Sequence, residues 1–151
     1  MSVIDLSTSI GASPEICFDL ARDIDLHVKS MPGSNERAVG GVMSGLIGPG
    51  QEVTWEATHL GVRQRLTSRI TAFDRPRHFR DSLVSGPFTR FDHDHFFVQE
   101  GSATIMRDVF DYESPFGWLG RCADGLFLRS YLVKLLKRRA HFLKAAAEGT
   151  R

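Results

Sequence analysis

Gln51-Glu52-Val53-Thr54-Trp55-Glu56-Ala57-Thr58-His59 decides the fold class, because its side chains alternate without a break. Val53, Trp55, Ala57 and His59 fall on one face of an extended chain, and Glu52, Thr54, Glu56 and Thr58 fall on the other. A strand written this way has one covered face and one face in water, as antiparallel sheets do. Gly61-Val62 reads as a turn, after which Arg63, Arg65, Thr67, Arg69 and Thr71 take one side and Gln64, Leu66, Ser68 and Ile70 the other. That run stops at Asp74-Arg75-Pro76. Extended runs follow at residues 78–85, 90–100 and 103–113, separated by Gly86-Pro87 and Gly101-Ser102. From residue 36 to residue 113 no segment is periodic enough to require a helix, so the stretch is one meander.

Outward from the meander the pattern changes at both ends. Residues 3–10 alternate as a first strand, and Ser13-Pro14-Glu15 then supplies an N-cap, a proline at the first helical position and an acid for the helix dipole. Ile16, Cys17, Phe18 and Leu20 follow as a short helix, with a second helical piece at residues 24–30 before Met31-Pro32-Gly33. Beyond Pro115 and Gly117, residues 118–147 carry Leu119, Cys122, Leu126, Leu128, Leu132, Leu135, Leu136, Phe142, Leu143 and Ala146 at helical recurrence. Lys134, Lys137, Arg138, Arg139 and Lys144 read as cations that complement the helix dipole and solvate its outer face.

A chain of 151 residues, 42% hydrophobic and 25% charged, suits a single domain over 1–151 that folds without disulfide or metal. The net charge of +1 supplies no attraction to nucleic acid or to an anionic membrane. No run approaches the roughly 18 apolar residues of a membrane span. The first six residues lack a signal peptide's basic flank and apolar run, so a cytoplasmic location is expected. Cys17 and Cys122 show no CxxC spacing and read as two buried, reduced thiols. Gly45-Leu46-Ile47-Gly48-Pro49-Gly50 lacks the lysine of a phosphate loop and reads as a turn.

A strand, two short helices, a meander and a long closing helix is the order of the helix-grip fold, and the chain resembles the SRPBCC/START-like superfamily from end to end. The likeness rests on Asp25-Leu26-His27, Glu36-Arg37-Ala38-Val39, Val53-Thr54-Trp55-Glu56-Ala57, Phe91-Asp92-His93-Asp94-His95-Phe96-Phe97 and the run from Asp108-Val109-Phe110 to Ser114-Pro115-Phe116-Gly117. It is nearest to bacterial ligand-binding SRPBCC proteins, some of them labelled cell-division inhibitors. The superfamily also holds START-type lipid carriers, the birch-pollen-allergen group and polyketide aromatase/cyclases. The resemblance implies an α+β fold in which a curved antiparallel sheet of about seven strands wraps a C-terminal helix. It also implies an apolar cavity between them, with entrances near Met31-Pro32-Gly33 and Phe116-Gly117-Trp118. A superfamily this varied does not fix function.

Register arguments place candidate chemistry in that cavity. A two-residue loop at Gly101-Ser102 pairs Glu100 with Ala103 and sets His95 opposite Asp108 and Phe97 opposite Met106. A three-residue loop at Gly86-Pro87-Phe88 sets Leu83 opposite Phe91, Asp81 opposite His93 and Phe79 opposite His95. The histidines are expected inward, because Asp92 and Asp94 on the other face cost more to bury unpaired. His59 is expected across from Gln64, adding a third imidazole near Trp55, Leu66 and Phe110.

An apolar pocket with a few convergent polar groups is the usual form of a small-molecule site. The expected activity is binding of a small hydrophobic ligand, as carrier or sensor. Two alternatives stay open: an aromatase/cyclase- or dehydratase-like enzyme using His95, Asp108, His93 and Asp81 for proton transfer, and a regulatory protein acting through a protein partner. The same imidazoles and carboxylates also read simply as a seam of mutually satisfied polar groups. His93-x-His95 is a weak metal signal, with His59 two strands away, and no metal or other cofactor is expected. Homodimerisation stays open.

Overall fold

The computed structural model describes residues 2–114 and 127–150. The elements in order are β1 (Ser2–Ile10), α1 (Pro14–Ala21), α2 (Ile24–Lys29), a 3-10 turn (Pro32–Ser34), β2 (Arg37–Gly41), β3 (Glu52–His59), β4 (Val62–Asp74), β5 (His78–Ser85), β6 (Arg90–Glu100), β7 (Ala103–Glu113) and α3 (Arg129–Thr150). Among the described residues seven strands form one antiparallel sheet in the order β1-β7-β6-β5-β4-β3-β2. β1 lies beside β7, so α1 and α2 must carry the chain from one edge of the sheet to the other before the meander returns. This is the helix-grip arrangement, α+β, with α3 closing the covered face.

The short helices form where the capping chemistry stands. Ser13 accepts a hydrogen bond from the Ile16 amide at 3.3 Å, and Asp23 accepts one from the Leu26 amide at 3.2 Å. The glycine-rich stretch is a loop held against α2, with the Gly45 amide donating to Asp25 Oδ2 at 3.0 Å and Ile47 buried. Gly41, at φ +66, sits in the left-handed region at the irregular β2–β3 edge. A Cβ there would lie 2.1 Å from the Glu52 carbonyl oxygen.

The outer face of the sheet is laced with arginine–carboxylate pairs. Glu56 takes Arg37, Arg63 and Arg65 at 2.8 to 3.0 Å, and these guanidinium groups hold its carboxyl at a pKa of about 2. Arg107 pairs with Asp5, and Arg69 with Glu52. Asp94 is on this face too and is buried all the same, because Arg80 and His78 cover it at 2.9 and 2.6 Å.

The structure moves several expected boundaries. The β3–β4 turn is Leu60-Gly61, both at positive φ, so His59 pairs with Val62 and Gln64 with Ala57; the expected His59–Gln64 pairing is displaced by two residues. β5 and β6 keep the expected register from His78–Phe96 to Ser82–Asp92 and then separate, so Leu83 and Phe91 meet in one apolar cluster without being strand partners. The closing helix is described from a π turn at Phe127-Leu128 and continues past Ala147 to Thr150. Leu119, Cys122, Leu126 and the entrance candidate Phe116-Gly117-Trp118 lie outside the described residues. Met31, of the other entrance candidate, is buried.

Candidate functional site

Three central strands each read apolar, polar, apolar along the covered face: Phe79, Asp81, Leu83 on β5; Phe97, His95, His93, Phe91 on β6; Met106, Asp108, Phe110 on β7. One apolar cluster holds Phe79, Phe97 and Met106 with Phe18, Val53 and Ile70. The other holds Phe91 and Phe110 with Ile4 and Tyr112, packed by Leu66, Leu83 and Phe88. A polar seam of two histidines and two aspartates therefore crosses the sheet between two apolar bodies.

The hairpin at Gly101-Ser102 has the two-residue loop and places His95 opposite Asp108, while β5 places Asp81 opposite His93 and Phe79 opposite His95. The shortest contact nevertheless runs on a diagonal, and the second hydrogen bond is diagonal as well. His95 Nε2 is 2.8 Å from Asp81 Oδ1, and His93 Nε2 is 3.2 Å from Asp108 Oδ1. The direct pairs are His95 Nδ1 to Asp108 Oδ1 at 3.1 Å and His93 Nδ1 to Asp81 Oδ1 at 3.9 Å. The rings lie 3.9 Å apart, with Phe79 stacked on His95 at 4.2 Å and Phe110 edge-on to His93.

Protonation follows from who faces whom. His95 Nε2 bonds Asp81 and its Nδ1 lies 3.1 Å from Asp108, so carboxylate oxygens, which only accept, face both ring nitrogens and favour the protonated ring. Burial opposes that charge, but Asp108 and Asp81 outweigh it and its pKa is raised. Burial and the neighbouring His95 push His93 down. Burial works against ionised Asp81, yet His95 and His93 hold its pKa at about 2; Asp108 is lowered further by the same two rings.

A hollow of about 20 Å³, room for a water molecule, lies beside His95 and Asp108 under Leu136, Arg139 and Ala140 of α3. A smaller one lies between Leu26, His27 and Ser30 and again Arg139. Arg139 is half-buried and makes no hydrogen bond or ion pair with any described residue, although its charge reaches Asp81 and Glu36. It is not on the helix's outer face, as the reading of the basic run expected. Leu132, Leu136, Arg139, Leu143 and Ala147 share one stripe at spacings of four and three, and that periodicity was the signal for an inward cation.

The remaining expected residues gather elsewhere. His59 does not join the seam; its Nδ1 bonds the Tyr131 hydroxyl of α3 at 2.7 Å. Trp55 stacks on His27 at 4.2 Å, and His27 Nε2 stands 2.8 Å from buried Glu36 Oε1, out of line for a hydrogen bond. Gln64 is half-buried beside Ala57. His27, Glu36 and Tyr131 were not expected from sequence as site residues, since each reaches the covered face only when helix and sheet close together.

No family model and no curated protein matches the sequence. Solved structures match its fold over nearly the whole chain. A protein of Thermus thermophilus is 20% identical, with 97% of this chain and 99% of that one covered and a TM-score of 0.74. A START superfamily protein of Mycobacterium smegmatis is 14% identical, with 99% of each chain covered and a TM-score of 0.75. Ginseng major latex-like protein 151, from Panax ginseng, is 17% identical, with 97% of each covered and a TM-score of 0.70. At these identities the likeness establishes the START-like, helix-grip fold and nothing about activity.

Proposed function

We propose that this chain binds one small, largely apolar molecule with an anionic end, as a carrier or sensor, between the covered face of the sheet and α3. The observation that carries the reading is Arg139, an inward cation without a bonded partner among the described residues, standing over both hollows. A half-buried guanidinium is costly to leave unpaired, and a carboxylate or phosphate satisfies it bidentately. The apolar clusters on either side of the seam, with Leu66, Leu83, Phe91 and Phe110 on one side and Phe79, Phe97 and Met106 on the other, supply the surface for the rest of the molecule. The resemblance to START-type carriers supports the same reading.

The two hollows beside Arg139 each hold no more than a water, so a larger molecule seated there needs α3 to part from the sheet. The helix is built unevenly for this. Ala140, Leu143 and Ala147 are buried, and Lys144 Nζ donates to the Ser9 carbonyl at 2.7 Å, whereas Leu132, Val133 and Leu136 are only half-buried and Phe127 is exposed. The N-terminal half is the half that opens at least cost.

A second reading, proton-transfer catalysis, is favoured by one observation: His95 lines the hollow with His93 ring to ring behind it at 3.9 Å, and their surroundings push the two pKa values in opposite directions. Mass spectrometry of molecules released on denaturing the purified protein tests the first reading. A single apolar acid at near-stoichiometric amount supports it. A protein that arrives empty and, offered a series of fatty and aromatic acids, binds none of them overturns it.

A further inference from the structure

The geometry points to a metal site beyond the binding reading: Asp81, His93 and His95 hold one divalent first-row transition cation of the zinc(II) class, and Asp108 is the carboxylate that orients both imidazoles.

Four relationships on the covered face carry this. One ligand atom from each of Asp81, His93 and His95 lies within 4.8 Å of the other two. Ligands about 2.0 to 2.2 Å from a zinc ion stand within such distances of one another. Asp108 Oδ1 accepts the His93 Nε2–H at 3.2 Å and lies 3.1 Å from His95 Nδ1, an ion-pair contact, so it faces both rings. With Asp108 on one side of both rings, the remaining nitrogens, His93 Nδ1 and His95 Nε2, stand toward Asp81, at 3.9 and 2.8 Å from its Oδ1. A carboxylate behind each ligating histidine is the usual support of a metal centre, and here one carboxylate serves two rings.

The alternative is an ordinary buried polar seam, and the energetics disfavour it. Apolar residues of similar volume generally stabilise a core as well as or better than a buried ion cluster. Here four ionisable groups sit between two aromatic bodies that could have met directly. Two imidazole nitrogens and one carboxylate oxygen select a borderline transition cation over magnesium or calcium, which take oxygen sets. Three protein ligands leave positions open, and Asp81, with 21% of its side chain accessible, gives a route to them. As the cation enters, the proton shared between His95 Nε2 and Asp81 leaves to solvent and the nitrogen lone pair goes to the metal.

The test uses the full chain, stripped with chelator and dialysed, then titrated with cobalt(II) alone and with zinc(II) alone. One cobalt per chain, with visible d–d absorption that zinc abolishes, is expected. Asp81→Asn and His93→Gln should lose stoichiometric binding, Asp108→Asn should weaken it by about 10- to 100-fold, and His59→Gln should retain it. If a variant fails to fold, paramagnetic broadening in the wild-type chain decides. Broadening centred on the His93 and His95 rings is expected; broadening centred on exposed His141, or no stoichiometric binding, overturns the site. These outcomes are separate from ligand retention, which reads the binding proposal through Arg139.

Discussion

His95 stands directly across from Asp108 in the sheet, yet its shortest bond, 2.8 Å, runs diagonally to Asp81 on the strand at the other side. The ring is thus gripped from both neighbouring strands, and the two aspartates depend on it as much as it depends on them. Removing Asp108 takes one of the two carboxylates from the buried His95 and the acceptor from His93 Nε2. Asp108→Asn should therefore cost about 3 to 5 kcal/mol, read as a lowered urea midpoint in metal-free protein. Replacing Asp81, His93, His95 and Asp108 together by apolar residues of similar volume should be neutral or stabilising by up to about 4 kcal/mol. If Asp108→Asn leaves the midpoint unchanged, the seam is not coupled as described.

The cluster shows how far a single sequence reaches. The alternation of residues 51–59 and the turn residues at 101–102 were sufficient for the sheet and for the His95–Asp108 register, because side-chain period and hairpin loop length are local quantities. The diagonal bonds were not legible, since they depend on how neighbouring strands twist and on rotamers that packing selects. Arg139 was misread because a basic run on a helix is usually solvated, and only the stripe of Leu136, Leu143 and Ala147 marks it as inward. His27 and Trp55 come together across elements far apart in the chain, and no spacing rule predicts that stack.

Stability should fall as the solution becomes mildly acidic. Burial pushes His27, His59 and His93 below the ordinary 6.5, with Arg139 adding to the effect at His27 and His95 at His93. A histidine lowered in the folded state stabilises the fold above 6.5 and loses that contribution as pH drops below it, because the unfolded chain then binds the proton first. His95 is raised and has the opposite sign: its contribution is complete below 6.5 and fades as pH rises through its folded value. The carboxylates Asp81 and Asp108 hold until the pH falls below 3.8. With three groups against one, metal-free protein should have a lower urea midpoint at about pH 5 than at about pH 7. His27→Gln should flatten the difference, and a midpoint that rises on acidification would contradict the burial of these rings.

Gly41 and Gly61 both occupy the left-handed region, at φ +66 and +78, but only Gly41 is crowded. Gly61→Ala meets nothing within 4 Å and should cost only the backbone penalty of about 1 to 2 kcal/mol. Gly41→Ala adds a Cβ 2.1 Å from the Glu52 carbonyl and must move β2 off β3, so its cost should be clearly larger. Urea unfolding of the two variants side by side checks the order, and equal midpoints would mean the β2–β3 edge yields freely.

Arg139 separates binding from stability. It makes no hydrogen bond or ion pair with a described residue, so Arg139→Gln breaks no such contact, relieves a half-buried unpaired cation and should not lower the urea midpoint. Its loss should be felt by ligands that carry a negative end. A guanidinium–carboxylate bond out of bulk water is worth about 1.5 to 3 kcal/mol, or roughly 10- to 100-fold in affinity. The wild-type chain should accordingly bind a long-chain fatty acid more tightly than the acid's methyl ester by that factor, and Arg139→Gln should bring the two to parity by weakening the acid alone. Titration of both compounds into both proteins reads this directly. A wild-type chain indifferent to the charge, or a preference that survives the substitution, would remove Arg139 from the site and with it the reason for expecting an anionic end on the ligand.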